Sequence, residues 1–97
     1  MKAVLDQQAE YDLCDAIDQY DKKSMGLGRE FALEVRRAID RAISMPEAWQ
    51  LLDDKFRRVL VNRFPYGVLY SIEPDLIYII AVMHLHRDPD YWRDRIS

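Results

Sequence analysis

The run Leu76-Ile77-Tyr78-Ile79-Ile80-Ala81-Val82-Met83 constrains this chain most. It has strand length, and both of its alternating faces are apolar as far as His84, so it reads as a central strand covered on each side. It falls well short of the roughly 18 apolar residues that would suggest a membrane span. The remainder of the 97 residues must therefore supply cover for two faces of a sheet.

One cover is helical. Residues 1–6 open with a short apolar segment (Ala3, Val4, Leu5) suited to a first strand. From Ala9 to about Lys23, Leu13, Ala16, Ile17 and Tyr20 fall on one helical stripe, and Asp12, Asp15, Asp18 and Asp21 lie off it, toward water. Ser24-Met25-Gly26-Leu27-Gly28 breaks this helix. A second helix from about Arg29 to Ser44 carries Phe31, Val35, Ala38, Ile39, Ala42 and Ile43 on its apolar stripe, with Glu34, Arg36, Arg37 and Asp40 on the polar side. The short break predicts an antiparallel helical hairpin. Pro46 ends the second helix, and residues 46–54 read as a connector pinned by Trp49, Leu51 and Leu52.

Two further strands precede the central one. In Phe56–Asn62, Phe56, Arg58, Leu60 and Asn62 share a face, with Phe64 beyond them, and Arg57, Val59 and Val61 share the other. Tyr66–Glu73 alternates in the same way. Phe64-Pro65 and Pro74-Asp75 mark turns, so an antiparallel meander is the simplest topology. A short helical turn over residues 90–96 ends the chain. The fold class is α+β: an N-terminal strand and a helical hairpin packed on a mainly antiparallel sheet, with a short C-terminal helix, in one domain over residues 1–97.

Charge is unevenly spread. Residues 1–54 carry 12 acids and 7 bases and residues 55–97 carry 5 acids and 7 bases, within a net charge of −3. The overall sign argues against general nucleic-acid affinity, while the C-terminal half offers a local basic patch. A single cysteine, Cys14, excludes an internal disulfide and fits a reducing cytoplasm. No signal peptide or membrane segment is apparent.

Phosphate-binding glycine loops, Gly-x-Ser-x-Gly and Cys-x-x-Cys are absent. His84 and His86 share a strand face and could begin a metal site only with a further ligand such as Asp88 or Asp90; zinc sites need three or four protein ligands, so no metal and no cofactor is expected. Metal-independent RNA cleavage needs a base, cations for the phosphate and an acid. The candidates are His84 or His86, the arginines Arg57, Arg58, Arg63 and Arg87, and Tyr66 or Tyr91. Each arginine also has a plain structural use, in ion pairs such as Arg87 with Asp90 or Arg93 and Arg95 with helix acids. Arg58 suits the edge of a core, and Trp92 and the tyrosines suit core or interface.

The segments Arg57-Arg58, Arg63-Phe64-Pro65-Tyr66-Gly67-Val68-Leu69-Tyr70 and Ala81-Val82-Met83-His84-Leu85-His86-Arg87-Asp88-Pro89-Asp90-Tyr91-Trp92 resemble the toxins of the RelE/ParE superfamily. The resemblance implies a cytoplasmic toxin of a type II toxin–antitoxin (plasmid stabilisation) system. It implies a cognate antitoxin as partner, contact with DNA only through the antitoxin complex, and either DNA gyrase or the ribosome and its mRNA as target. In RelE-like nucleases an Arg typically follows the strand tyrosine, two alternating lysines precede it, and a further Arg lies near the tail. Here Gly67, Arg58 with Leu60, and Leu85 stand at those places, and Tyr91 alone matches. The resemblance is thus closer to the ParE-like branch, and the chain reads as a protein-binding poison rather than an enzyme. The alternative is an mRNA endoribonuclease using Arg63, His84, His86, Arg87 and Tyr91. Residues expected to bind antitoxin or target are Arg57, Arg58, Arg63, Tyr66, Arg87, Tyr91 and Trp92, since Arg, Tyr and Trp dominate interface hot spots.

Overall fold

The computed structural model describes residues 1–87 and 91–95, and of Tyr91 the backbone. Asp88, Asp90 and the Tyr91 side chain, which carry expectations above, lie outside the described residues. The elements are β1 (Lys2–Leu5), α1 (Gln7–Lys23), α2 (Leu27–Ser44), β2 (Gln50–Leu51), β3 (Phe56–Leu60), β4 (Tyr66–Ile72), β5 (Leu76–His84) and a 3-10 helix (Tyr91–Arg95). The strands form one sheet in the order β1-β5-β4-β3-β2. All neighbours are antiparallel except β1 and β5, which run parallel. The architecture is α+β, with the helical hairpin on one face of the sheet.

β5 is covered on both sides. Ile77, Ile79 and Val82 enter the main core, against Ala9, Ala16, Phe31, Val35 and Ala38 of the hairpin. Ile80, Ala81 and Met83 enter a second, smaller cluster with Phe56, Leu69 and Trp92. A β-bulge sets this division: Leu69 pairs with Ala81 and Tyr70 with Ile79, so Ile80 has no partner on β4. The extra residue turns both Ile80 and Ala81 toward the second cluster.

β1 is shorter than β5 and pairs with it only as far as Leu5–Ile79. Asp6 closes this pairing: its N–H donates to Ile79 O (2.8 Å), its carboxylate accepts from the Tyr78 hydroxyl, and it caps α1 by accepting from Gln8 N. These two hydrogen bonds, the Tyr78 one foremost, hold the Asp6 carboxyl below its usual range. Beyond Ile79 the outer edge of β5 lacks a strand, and side chains take its place. Val82 N donates to Asp12 Oδ2 (3.0 Å), and Arg95 Nη1 donates to Ile80 O (3.0 Å). Arg95 also grips Asp12 with both guanidinium nitrogens, at 2.7 and 2.9 Å. Asp12 therefore does not face water as its place off the helical stripe suggests. Asp15, Asp18 and Asp21 are exposed.

Gly28, which reads as a helix breaker, lies inside α2 and is buried. A Cβ there would sit 2.5 Å from Ile17 O and 2.7 Å from Asp21 Oδ1, so the glycine lets the two helices touch. Gly26, at φ 84°, makes the actual turn. It offers no side-chain cap, and Asp21 supplies one from the other helix by accepting from Gly28 N (2.8 Å). Glu34 is also displaced from its expected polar face. It is buried and paired with Arg37 (3.0 Å) and Arg63 (3.9 Å).

The connector 46–54 contains a strand, β2, paired with β3 (Gln50 with Arg58, Leu51 with Arg57). Trp49 and Leu52 pack on the two clusters, whereas Leu51 is exposed and pins nothing. β3 ends at Leu60 because the chain then turns tightly, with Arg63 in the left-handed region at φ 72°. Phe64 turns away from Arg58 and joins the aromatic group of Tyr20, Phe31 and Tyr66 under the hairpin, with its ring centroid 5.0 Å from that of Tyr20 and 5.2 Å from that of Phe31.

Gly28→Ala is expected to destabilise the protein by about 1–3 kcal/mol, because the methyl group meets backbone that cannot move aside alone. A lower urea midpoint with an unchanged slope checks this; an unchanged midpoint contradicts it.

Candidate functional site

The site lies where β4 begins and β5 ends. Tyr66 pairs with His84 and Gly67 with Met83. Leu85 N donates to Pro65 O (2.9 Å) and Arg87 N to His84 O (3.1 Å), so the turn after β5 is tied to the β3–β4 turn. The Tyr66 and His84 rings meet edge to face at 5.2 Å, and the His84 and His86 rings at 4.9 Å.

Two clefts flank this point and share His84 and Arg87. The larger, about 210 Å³, is lined by Leu52, Arg58, Leu69, Met83, Leu85, Trp92 and Arg93 as well. The smaller, about 130 Å³, runs along α1 and brings in Asp12, Asp15, Gln19 and Tyr66. Among the described residues, arginine and histidine are the only charged groups on the wall of the first cleft. The second sets the same His84 and Arg87 against two carboxylates.

Arg58 reaches the first cleft across Gly67. A Cβ on Gly67 would lie 2.8 Å from Arg58 Cδ and 2.9 Å from Arg58 Cγ, so the glycine makes room for the arginine stem. Arg58 Nη2 donates to Gln50 Oε1 (2.8 Å). Its Nε is buried and has no hydrogen-bond partner, alone in this among side-chain polar atoms of the described residues. Leaving a charged donor so placed costs on the order of 1–3 kcal/mol or more. Trp92 is 3% exposed and packs against Phe56, centroids 5.4 Å apart, so it supports the cleft from within the cluster. Arg93 lies over the Trp92 ring at 4.6 Å and 3.7 Å from Asp53.

His84 is held neutral more readily than usual. Burial comes first, then the positive groups His86, Arg87 and Lys23, and all push its pKa below 6.5. His86 N donates to His84 Nδ1 (3.1 Å). The neutral ring therefore accepts at Nδ1 and carries its proton on Nε2. Burial likewise pushes the Tyr66 phenol up.

The residues singled out in the sequence separate into two groups. Arg58, Tyr66, His84, Arg87 and Trp92 gather around the two clefts. Arg57 points to the hairpin side, where Nη1 donates to Glu47 O (3.1 Å) and Trp49 O (2.8 Å). It lies beside Tyr70, whose buried phenol is pushed up to about 12. Arg63 donates to Glu30 (2.9 Å) and approaches Glu34, both on α2. Among the described residues no group of three His, Cys, Asp or Glu side chains is placed to hold a metal ion. Leu52, Leu69, Met83 and Asp12 belong to the clefts and were not among the expected site residues. Asp12 had one indirect signal, since a nine-residue β5 beside a four-residue β1 leaves edge groups that need a partner.

His84 should titrate below 6.5 when followed by NMR. The sign for stability follows. The unfolded chain takes up this proton first as pH falls, so His84 favours the folded state fully above about 6.5 and less as pH drops toward its folded value. His84→Asn should flatten the stability profile between about pH 7 and 5; an unaltered profile contradicts the placement.

No helix among the described residues is long and apolar enough to cross a membrane. No curated protein sequence matches the chain. A solved structure described as the chromosomal ParDE toxin–antitoxin system of P. aeruginosa is similar in fold, with a TM-score of 0.77 over 89% of this chain and 97% of the other at 13% identity. The family model described as the ParE toxin of the type II toxin–antitoxin system, parDE, matches residues 3–89. The chain belongs to the ParE toxin family of type II toxin–antitoxin systems.

Proposed function

We propose that this toxin stops growth by poisoning DNA gyrase in the cytoplasm, and that a cognate antitoxin neutralises it by binding across the surface that carries Arg58, Tyr66 and Arg87. It acts by protein contact and touches DNA only through the antitoxin complex. One observation carries this over RNA cleavage: among the described residues an mRNA nuclease would use, Arg63 does not join His84 and Arg87 at the clefts. Arg63 lies at the same end of the sheet as His84 and Arg87, but its guanidinium is engaged by Glu30 and Glu34 on α2 and lines neither cleft. The electrostatics agree. Asp12 and Asp15 stand across the smaller cleft from His84 and Arg87, where an RNA backbone would meet like charge. His84 also lacks a free lone pair for a general base, since Nδ1 accepts from His86 N.

Purified toxin added to gyrase and relaxed plasmid should inhibit supercoiling and accumulate cleaved DNA, and antitoxin should reverse both. Codon-linked cuts in primer extension on translated mRNA, with supercoiling untouched, would reverse the assignment in favour of the endoribonuclease.

A further inference from the structure

We propose that the outward face of the helical hairpin binds a second copy of this chain, in a two-fold dimer where α1 of each protomer lies along α2 of the other. On α1, Tyr11, Cys14 and Asp18 form a stripe at i, i+3 and i+7, turned away from the buried Ala9 and Ala16. On α2, Arg29, Leu33 and Arg36 form a stripe at i, i+4 and i+7, turned away from the buried Phe31, Val35 and Ala38. All six are exposed, Tyr11 at 53% and Leu33 at 49%. The Tyr11 ring is held in place, its hydroxyl accepting from Gln7 Nε2 (2.9 Å). Among the described residues the side chains of Asp18, Arg29 and Arg36 make no ion pair, although Asp40 stands one turn from Arg36. Either stripe alone would be an ordinary solvated helix face; the match between the two points to a partner.

The hairpin sets the two stripes level with each other. Gly28 touches α1 at Ile17 and Asp21, and the antiparallel helices rise equally in opposite directions. Asp18 is therefore level with Arg29, Cys14 with Leu33 and Tyr11 with Arg36, to within one residue's rise of about 1.5 Å. A two-fold axis between the copies, parallel to the helices, carries α1 over the partner's α2 and keeps every level. Asp18 then meets the partner's Arg29, the Tyr11 ring meets the partner's Arg36, and Cys14 meets the partner's Leu33, each contact occurring twice. The flanks agree. Next along the stripes, Asp40 is level with the uncharged Gln7, and Lys22 with the turn at Ser24 and Met25 beyond the start of α2, so the stripes bring no like charges face to face. An acidic partner or a nucleic acid would answer the α2 stripe and be repelled by Asp18, whereas a second copy answers both stripes. Neither cleft takes a residue from the stripes, so the dimer leaves Arg58, Tyr66 and Arg87 uncovered, and this inference and the gyrase assignment fail separately. With few apolar side chains at its centre, the contact belongs to the weak and salt-sensitive class.

The test is sedimentation equilibrium of the full chain. In about 20 mM salt the parent should dimerise with a Kd of about 10–500 μM, and at least about threefold more weakly in about 0.5 M salt. Arg29→Asp and Asp18→Arg, each alone, put like charges at both symmetry-related contacts and should weaken dimerisation at least about tenfold. Mixed one to one, the two variants should dimerise with each other about as well as the parent does, because each supplies the charge the other lacks at both contacts. If either variant does not fold, Leu33→Asp at the centre of the face should weaken dimerisation of the otherwise unaltered chain at least about tenfold. A parent chain that is monomeric at about 1 mM overturns the proposal. So do single variants, Leu33→Asp included, that dimerise as the parent does, or a mixture that stays monomeric. A monomeric parent whose affinity for the antitoxin falls in Arg29→Asp gives this face to the antitoxin instead.

Discussion

The structure depends on giving β5 a neighbour on every side. Its two faces are satisfied by apolar cover, but its outer edge outruns β1 after Ile79, and backbone groups there face no strand. An open edge of this kind is costly when buried and a pairing hazard when exposed. Asp12 and Arg95 resolve it together: one accepts from Val82 N, the other donates to Ile80 O, and the two side chains neutralise each other at 2.7 Å. Both are largely shielded, with 17% and 13% of their side chains exposed. Removing Asp12 would take the acceptor from Val82 N, and removing Arg95 would take the donor from Ile80 O.

This closure also positions the candidate site. Arg95 ends the 3-10 helix that carries Trp92, so anchoring Arg95 to α1 and β5 holds Trp92 over Phe56 and Met83. The Ile80 bulge works to the same end, because it turns two successive residues of β5 into the second cluster. The first cleft is thus built on a packed support, with Arg58, His84 and Arg87 on its wall.

Much of this was legible in the sequence. The two-faced apolar run of β5, the helical stripes of α1 and α2 and the turns at Phe64-Pro65 and Pro74-Asp75 are local patterns, and each has its expected place. Gly28 was misleading because glycine breaks a helix by local propensity, whereas here it answers the close approach of Ile17 and Asp21. β2 left no trace, being two exposed residues with no period to read. Glu34 and Asp12 look solvent-facing on a helical wheel, yet Asp12 is held by Arg95, far away in sequence, and Glu34 by its neighbour Arg37 together with the distant Arg63. The basic, aromatic C-terminal half pointed to the right end of the sheet, but side-chain direction divided the arginines. Arg57 and Arg58 are adjacent on β3 and face opposite sides. The family membership fits the same division, since the positions at which this chain departs from the nuclease pattern include Gly67, whose missing side chain admits Arg58.

The central claim is that Asp12 closes the β5 edge and, through Arg95, seats the C-terminal turn. Amide hydrogen exchange at Val82 in Asp12→Ala tests it most directly, read beside the indole resonance of Trp92. The account predicts that Val82 loses protection selectively while Val68 on β4 keeps it, and that Trp92 becomes exposed. A Val82 amide as slow as in the parent protein, with Trp92 still buried, would contradict it.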